Sequence, residues 1–133
     1  LIKFGKCCQP VPGDPIVGYI TRGFGVPVHR TNCVNALRMN PERQIEVAWS
    51  QEISETYPVK IRIISQDRMG LLADLVGNIS KLGANILNAK TETRENKVVD
   101  SFFTIGVEDT THLEKILAAV KKVKHVQEVK RVG

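Results

Sequence analysis

From residue 57 onward the apolar residues change period in a fixed order, and that order constrains the fold more than any other feature of the chain. Val59, Ile61 and Ile63 alternate with Lys60 and Arg62, the two-residue period of a half-buried strand. Leu71, Leu72, Leu75, Val76, Ile79 and Leu82 then recur at helical spacing. Asp67 is placed to cap that helix, and Gly83 to end it in the left-handed conformation. Residues 86–93 read as a strand, 94–97 as a hairpin turn, and 98–107 as a second strand with Phe103, Ile105 and Val107 on one face. Thr111 and Glu114 have capping-box spacing and open a helix that buries Leu113, Ile116, Leu117, Val120 and Val123. Residues 126–132 form the last strand, with weaker alternation.

The order is β-α-β-β-α-β. Right-handed crossovers turn it into a four-stranded antiparallel sheet with both helices on one face, the ferredoxin-like α+β arrangement. About 75 residues give such a unit only a thin core. The face of the sheet away from the helices is expected to be partly apolar and so to invite a second copy.

Residues 1–50 have a different grammar. Pro10, Pro12, Gly13, Pro15, Gly18, Gly23, Gly25 and Pro27 allow only short strands and tight turns. Strands are expected at about 16–20 and 26–29, and a helix at 33–39 capped by Thr31 or Asn32 and stopped by Asn40-Pro41. Residues 44–49 alternate as a half-buried strand. This half is a small mixed α/β domain with short strands and one helix. The polar stretch 51–56 is expected to be a linker, which gives domains at 1–50 and 57–133.

Cys7, Cys8 and Cys33 all lie in the first half. Three cysteines, two of them adjacent, make a poor disulfide framework, and a reduced, cytoplasmic setting fits better. With His29 they are four ligands of the type and number zinc takes. His29 and Cys33 are a plausible pair, but adjacent side chains on a strand point to opposite faces, so Cys7 and Cys8 can both ligate only if the chain bends. The competing reading makes the cysteines small buried apolar residues and His29 a hydrogen-bonded turn residue.

Residues 1–50 carry six Lys/Arg against three Asp/Glu, so they are the better anion surface. No apolar run approaches the ~20 residues that span a bilayer. The chain opens at Leu1 with neither Met nor signal peptide, which implies that it is cut from something longer. There is no phosphate-binding Gly-x-x-x-x-Gly-Lys loop.

Cys7-Cys8-x-Pro10-x-x-Gly13-Asp14, Ile16-x-Gly18-Tyr19-x-Thr21-x-Gly23-x-Gly25 and Val28-His29-Arg30 followed by Cys33 resemble the small domain near the C-terminus of long RelA/SpoT-family enzymes. Those enzymes make or degrade the alarmone (p)ppGpp, and the domain is called both a zinc-finger and a ribosome-intersubunit (RIS) domain. An ACT domain follows it in that family. Asp67-Arg68-x-Gly70-Leu71-Leu72 and Gly83-Ala84-Asn85-Ile86 carry that second resemblance. The resemblance implies a regulatory, non-catalytic region of a GTP pyrophosphokinase or (p)ppGpp hydrolase whose catalytic domains lie elsewhere.

It implies further that Asp67, Met69, Gly70, Leu71, Leu72 and Asn85 surround a small amino acid, valine or isoleucine first, with the helix N-terminus meeting its carboxylate. It also implies an ACT-mediated homodimer, and a first half that faces the ribosome. There Lys6, Arg22, Arg30 and Arg38 are the expected rRNA contacts, with Tyr19 or Phe24 available to stack on a base. A plain amino-acid-binding ACT module with no RNA role is the alternative. Stacking of RNA in the manner of an RRM is disfavoured for the second half, because the strand 97–103 has no glycine and one outward aromatic.

Overall fold

The computed structural model describes residues 2–23, 25–49 and 55–132. Phe24 and most of the expected linker (51–54) lie outside them. Two separate four-stranded sheets form, one in each half of the chain.

The second half follows the periodicity. Strands β5 (Tyr57–Gln66), β6 (Asn85–Thr93), β7 (Val98–Val107) and β8 (Val126–Arg131) alternate with helices α2 (Leu71–Lys81) and α3 (Thr110–Lys121). They pair antiparallel in the order β6-β7-β5-β8. Val59, Ile61, Ile63, Phe103, Ile105 and Val107 point from the central strands toward Leu75, Ile79, Leu113, Ile116 and Val120 of the helices, and all are at most 3% exposed. Burial of each such side chain is worth about 1.5–3 kcal/mol. Gly83 (φ +81°) ends α2 as its position requires, with its N–H on Ser80 O at 3.0 Å.

Both helices start elsewhere than their capping residues suggested. Arg68 bonds Lys124 O (3.0 Å), Met69 O (3.1 Å) and the Asp74 carboxylate (2.7 Å), and this fixes a turn before α2 begins. Gly70, at φ +79°, therefore occupies the N-cap of α2 and supplies no side-chain cap. Asp67 instead gives its backbone N–H to Lys97 O at 2.8 Å. In α3 the cap is Asp109, whose Oδ1 accepts the His112 N–H at 2.7 Å, two residues ahead of the expected Thr111.

The outer face of this sheet is partly apolar, as expected, with Ile64, Val98 and Phe102 set among charged side chains. Arg62 grips Asp100 through two hydrogen bonds of 2.8 and 2.7 Å, Arg94 joins from the other side, and Arg62 also lies over the Phe102 ring. Lys60 and Lys90 flank that group. The most exposed apolar side chains of this half lie just before α2, on α2 and on the edge strand β6: Met69, Leu72, Val76 and Leu87.

The first half holds β1 (Ile2–Phe4), β2 (Ile16–Tyr19), β3 (Val26–Arg30), the one-turn helix α1 (Val34–Leu37) and β4 (Gln44–Ile45), in the sheet order β1-β3-β2-β4. Strand β1 was not legible in the sequence, because the alternation of Ile2, Lys3 and Phe4 is too short to establish a period. The expected strand over 44–49 stops after two residues: Trp49 leaves to stack on Phe4 (centroids 5.2 Å apart) and to meet the edge of Tyr57 at 5.4 Å. The helix expected over 33–39 is four residues long, with Cys33 rather than Thr31 or Asn32 at its N-cap.

The two halves are joined by a loop as well as by the chain. Val11 is fully buried and belongs to the core of the second half. Pro12 O accepts the Thr110 N–H at 2.8 Å, and Lys60 N–H donates to Gln9 Oε1 at 2.8 Å.

Candidate metal centre and ligand pocket

The ligand atoms of Cys7, Cys8, His29 and Cys33 all lie within 4.8 Å of one another. The obstacle posed by adjacent cysteines disappears because they sit on a turn and not a strand. Residues 6–8 turn, Gln9 N–H closes on Gly5 O at 2.9 Å, and Gln9 takes φ +44°. Both thiols then face the His29 ring, Cys7 Sγ at 3.3 Å and Cys8 Sγ at 3.6 Å from Nδ1. Cys7 and Cys33 Sγ are 3.5 Å apart, and all three cysteines are free thiols.

A tetrahedral zinc with bonds of about 2.3 Å to sulfur and 2.0 Å to nitrogen sets edges of about 3.8 Å for S···S and 3.5 Å for S···N. The three separations above match those edges. Gly5 makes the approach possible, since a Cβ there would sit 2.6 Å from His29 Nδ1.

The surroundings act on Cys8, His29 and Cys33 differently. Burial lowers the His29 pKa and keeps its imidazole neutral, the form that ligates. Burial also pushes the Cys8 thiol up to about 11, against one hydrogen bond from the Arg30 N–H to Cys8 Sγ at 3.4 Å. Cys33 shifts the other way: burial raises it, but the backbone N–H groups of Ala36 and Asn35 at the start of α1, together with the neighbouring thiols, outweigh that and lower it. A bound zinc would hold these thiolates and contribute fold stability, not chemistry. No carboxylate joins the four groups among the described residues, so nothing there completes a Cys/His nucleophile.

A second feature is a cavity of about 230 Å³ between the start of α2 and the inner face of β6 and β7. Of the expected ACT residues, Asp67, Gly70, Leu71 and Leu72 line it. Met69 does not, being 97% exposed, and neither does Asn85. Asn85 pairs with Gly106 at the far end of β6, while the cavity lies by Thr91 and Thr93. The nine residues from Asn85 to Thr93 span roughly 26 Å of strand.

The sequence reading missed Arg68, Thr91, Thr93, Val99 and Ser101 in the wall. A signal for Ser101 was present, a hydroxyl at an inward position of an otherwise apolar register. Ser101 and its neighbour Ser65 are fully buried, and neither Oγ has a hydrogen-bond partner.

The expected RNA contacts divide. Lys6, Arg22 and Arg38 are exposed. Arg30 is half-buried at the end of β3, where its charge helps to hold Asp14 ionised. Tyr19 is turned inward, its hydroxyl donating to Ala36 O at 3.0 Å, so it presents no ring for a base.

Residues 1–50 match the RelA/SpoT RIS domain and residues 53–131 the ACT domain. The chain is 44% identical to a GTP pyrophosphokinase of Streptomyces coelicolor, over 98% of this chain and 16% of that protein. It is 44% identical to the bifunctional (p)ppGpp synthase/hydrolase RelA of Mycobacterium tuberculosis, over 99% of this chain and 18% of that one. It thus spans less than a fifth of these curated relatives. The crystal structure of the ACT domain from the GTP pyrophosphokinase of Chlorobium tepidum superposes with a TM-score of 0.52 at 26% identity, covering 58% of this chain and 99% of that one. Sequence pairing, sheet order and similarity agree: the chain belongs to the ACT domain family and is the RIS–ACT regulatory region of a RelA/SpoT protein.

Proposed function

We propose that this region governs the catalytic domains of a (p)ppGpp synthetase or hydrolase in the cytoplasm, through a zinc-holding, ribosome-facing first half and an amino-acid-sensing second half. The observation that carries the sensing role is the cavity at the start of α2. The helix begins at a glycine with no side-chain cap, and its first residues Leu71, Leu72 and Ala73 line the cavity, which sets the partial positive charge of the helix start beside it. Ser101 is a buried hydroxyl without a partner in the wall of that cavity. Leu71, Leu72, Leu75 and Val99 form an apolar part of the wall beside the polar Asp67, Arg68, Thr91 and Thr93, which favours a small aliphatic amino acid such as valine or isoleucine. The exposed Met69, Leu72, Val76 and Leu87, just before α2, on α2 and on the edge strand β6, support a homodimer that covers this side.

Titration calorimetry of the 133-residue chain with valine and isoleucine tests the sensing role. Heat at submillimolar ligand is expected, and none at millimolar ligand with the chain folded rejects it. Ribosome co-sedimentation, lost in an Arg22→Glu/Arg38→Glu variant, tests the first half. Amino-acid binding with unchanged co-sedimentation would favour a plain ACT module.

A further inference from the structure

We propose that residues 8–14 act as a strap through which metal occupancy of the Cys/His cluster and docking of the ACT unit become one coupled equilibrium. The proposal rests on the cluster binding a divalent cation. Its argument is that the ligand end and the docking end of this short segment are fixed so closely that neither can move alone.

At the ligand end, Cys8 lies 3.6 Å from His29 Nδ1 and accepts the Arg30 N–H. The next residue, Gln9, sits at φ +44°, a conformation that a non-glycine residue keeps only when its surroundings hold it there. Those surroundings are the second half: Gln9 Oε1 accepts the Lys60 N–H, and Gln9 O accepts Arg131 Nη2 at 2.8 Å. Two residues on, Val11 is buried in the core beneath α3 and the sheet.

Pro12 O then takes the N–H of Thr110, the first residue of α3, and Gly13 packs so close to Thr110 that it has no room for a Cβ. Asp14 ends the strap on Arg131 with two hydrogen bonds. It also accepts the Trp49 Nε1–H on its carbonyl at 3.1 Å.

Ordering three thiols and an imidazole around one point costs conformational entropy, which a cation bound by all four offsets. A cation that favours the convergent turn therefore favours the strap that continues from it. Linkage makes the effect reciprocal: docking strengthens the metal by the factor by which the metal strengthens docking, so loss of docking weakens the metal.

Trp49 is the one tryptophan of the chain and reports the strap directly. The test uses the 133-residue chain loaded with zinc, with zinc content measured separately. Chelation is expected to red-shift the Trp49 emission and to speed amide exchange at Thr110 about tenfold or more, while Phe103 and Ile105 in β7 keep their protection. Conversely, Val11→Ala, which touches no ligand, is expected to weaken zinc about tenfold, within the usual range of coupling between sites. Should that variant not fold, Asp14→Asn keeps the apolar plug and is expected to weaken zinc in the same direction.

Zinc bound at one equivalent, with Trp49 and Thr110 indifferent to its removal, would overturn the coupling and leave the metal site standing. Equal loss of protection in β7 would also overturn it, since the metal would then support the fold at large. A folded chain that takes up no zinc removes the metal site and the coupling together.

Discussion

Arg131 and Asp14, 117 residues apart, form a paired hydrogen bond, Nη1 to Oδ1 at 3.0 Å and Nη2 to Oδ2 at 2.7 Å. Both side chains are largely out of water, at 15% and 8% exposure. Pairs with this forked geometry are the strong ones, and breaking one by removing a single partner strands the other charge. Asp14→Asn is therefore expected to cost roughly 2 kcal/mol or more, measured by urea unfolding at neutral pH.

The same pair predicts a pH dependence with a definite sign. Burial pushes the Asp14 carboxyl up, but the Arg131 guanidinium and the Val11 N–H outweigh it and hold it below the usual carboxylate range. A depressed pKa contributes stability that is present above the unfolded value, about 3.9, and is lost as pH falls through the folded value. The stability difference between the parent chain and Asp14→Asn is expected to be full at pH 6 and to shrink steadily below about pH 4. A difference that stayed constant to pH 2.5 would show that folding leaves the Asp14 pKa unshifted, so that Arg131 does not favour its ionised form.

Gly5→Ala tests the metal centre without touching a ligand. The new Cβ would lie 2.6 Å from His29 Nδ1 and 2.7 Å from Cε1, so the imidazole must move away from the thiols. A loss of about 1–3 kcal/mol is expected from the overpacking, together with a fall in bound zinc well below one equivalent. Zinc content and thermal unfolding in the presence of added zinc check both.

Gly70→Ala isolates backbone strain from packing. The space is open, with Arg68 Nη1 the nearest atom at 3.8 Å, so no clash arises. The cost comes from φ +79°, where a Cβ adds about 1–2 kcal/mol. Asn tolerates that region better than Ala, so Gly70→Asn should lose less than Gly70→Ala. Equal losses in chemical denaturation would mean that the turn rearranges when the glycine is replaced.

The sequence made the second half legible because its signals are local. Ile61, Phe103 and Ile116 declare a buried face by spacing alone, and Gly83 marks a helix end by what only glycine does easily. Cap positions were less legible: Asp67 and Asp109 are both good acceptors, and the Arg68 contacts with Lys124 O and Asp74 decide that only the latter caps. The cluster of Cys7, Cys8, His29 and Cys33 could be named from residue type, but its closure depends on the Gly5–Gln9 turn, which no periodicity announces. Val11 was least legible of all. A single apolar residue between two prolines has no pattern, and its burial is decided by a partner surface built from residues 59–131.

Ser101 offers the sharpest test of the cavity because its two roles carry opposite signs. Its Oγ is buried without a partner, and such a group costs about 1–3 kcal/mol for lost hydration. With no ligand present, Ser101→Ala removes that cost at little loss of packing, so the variant is expected to be about 1 kcal/mol more stable than the parent. Ser65→Ala, where the hydroxyl is likewise unpartnered but does not line the cavity, should stabilise to a similar degree.

The two variants separate when an amino acid is added. If the Ser101 hydroxyl is kept for a ligand, Ser101→Ala weakens binding about tenfold, the loss of one hydrogen bond to a charged group, while Ser65→Ala leaves it unchanged. Thermal unfolding without ligand and calorimetry with valine read the two halves of the prediction. Stabilisation by both variants with equal binding would make Ser101 a buried imperfection of the sheet rather than part of a ligand site.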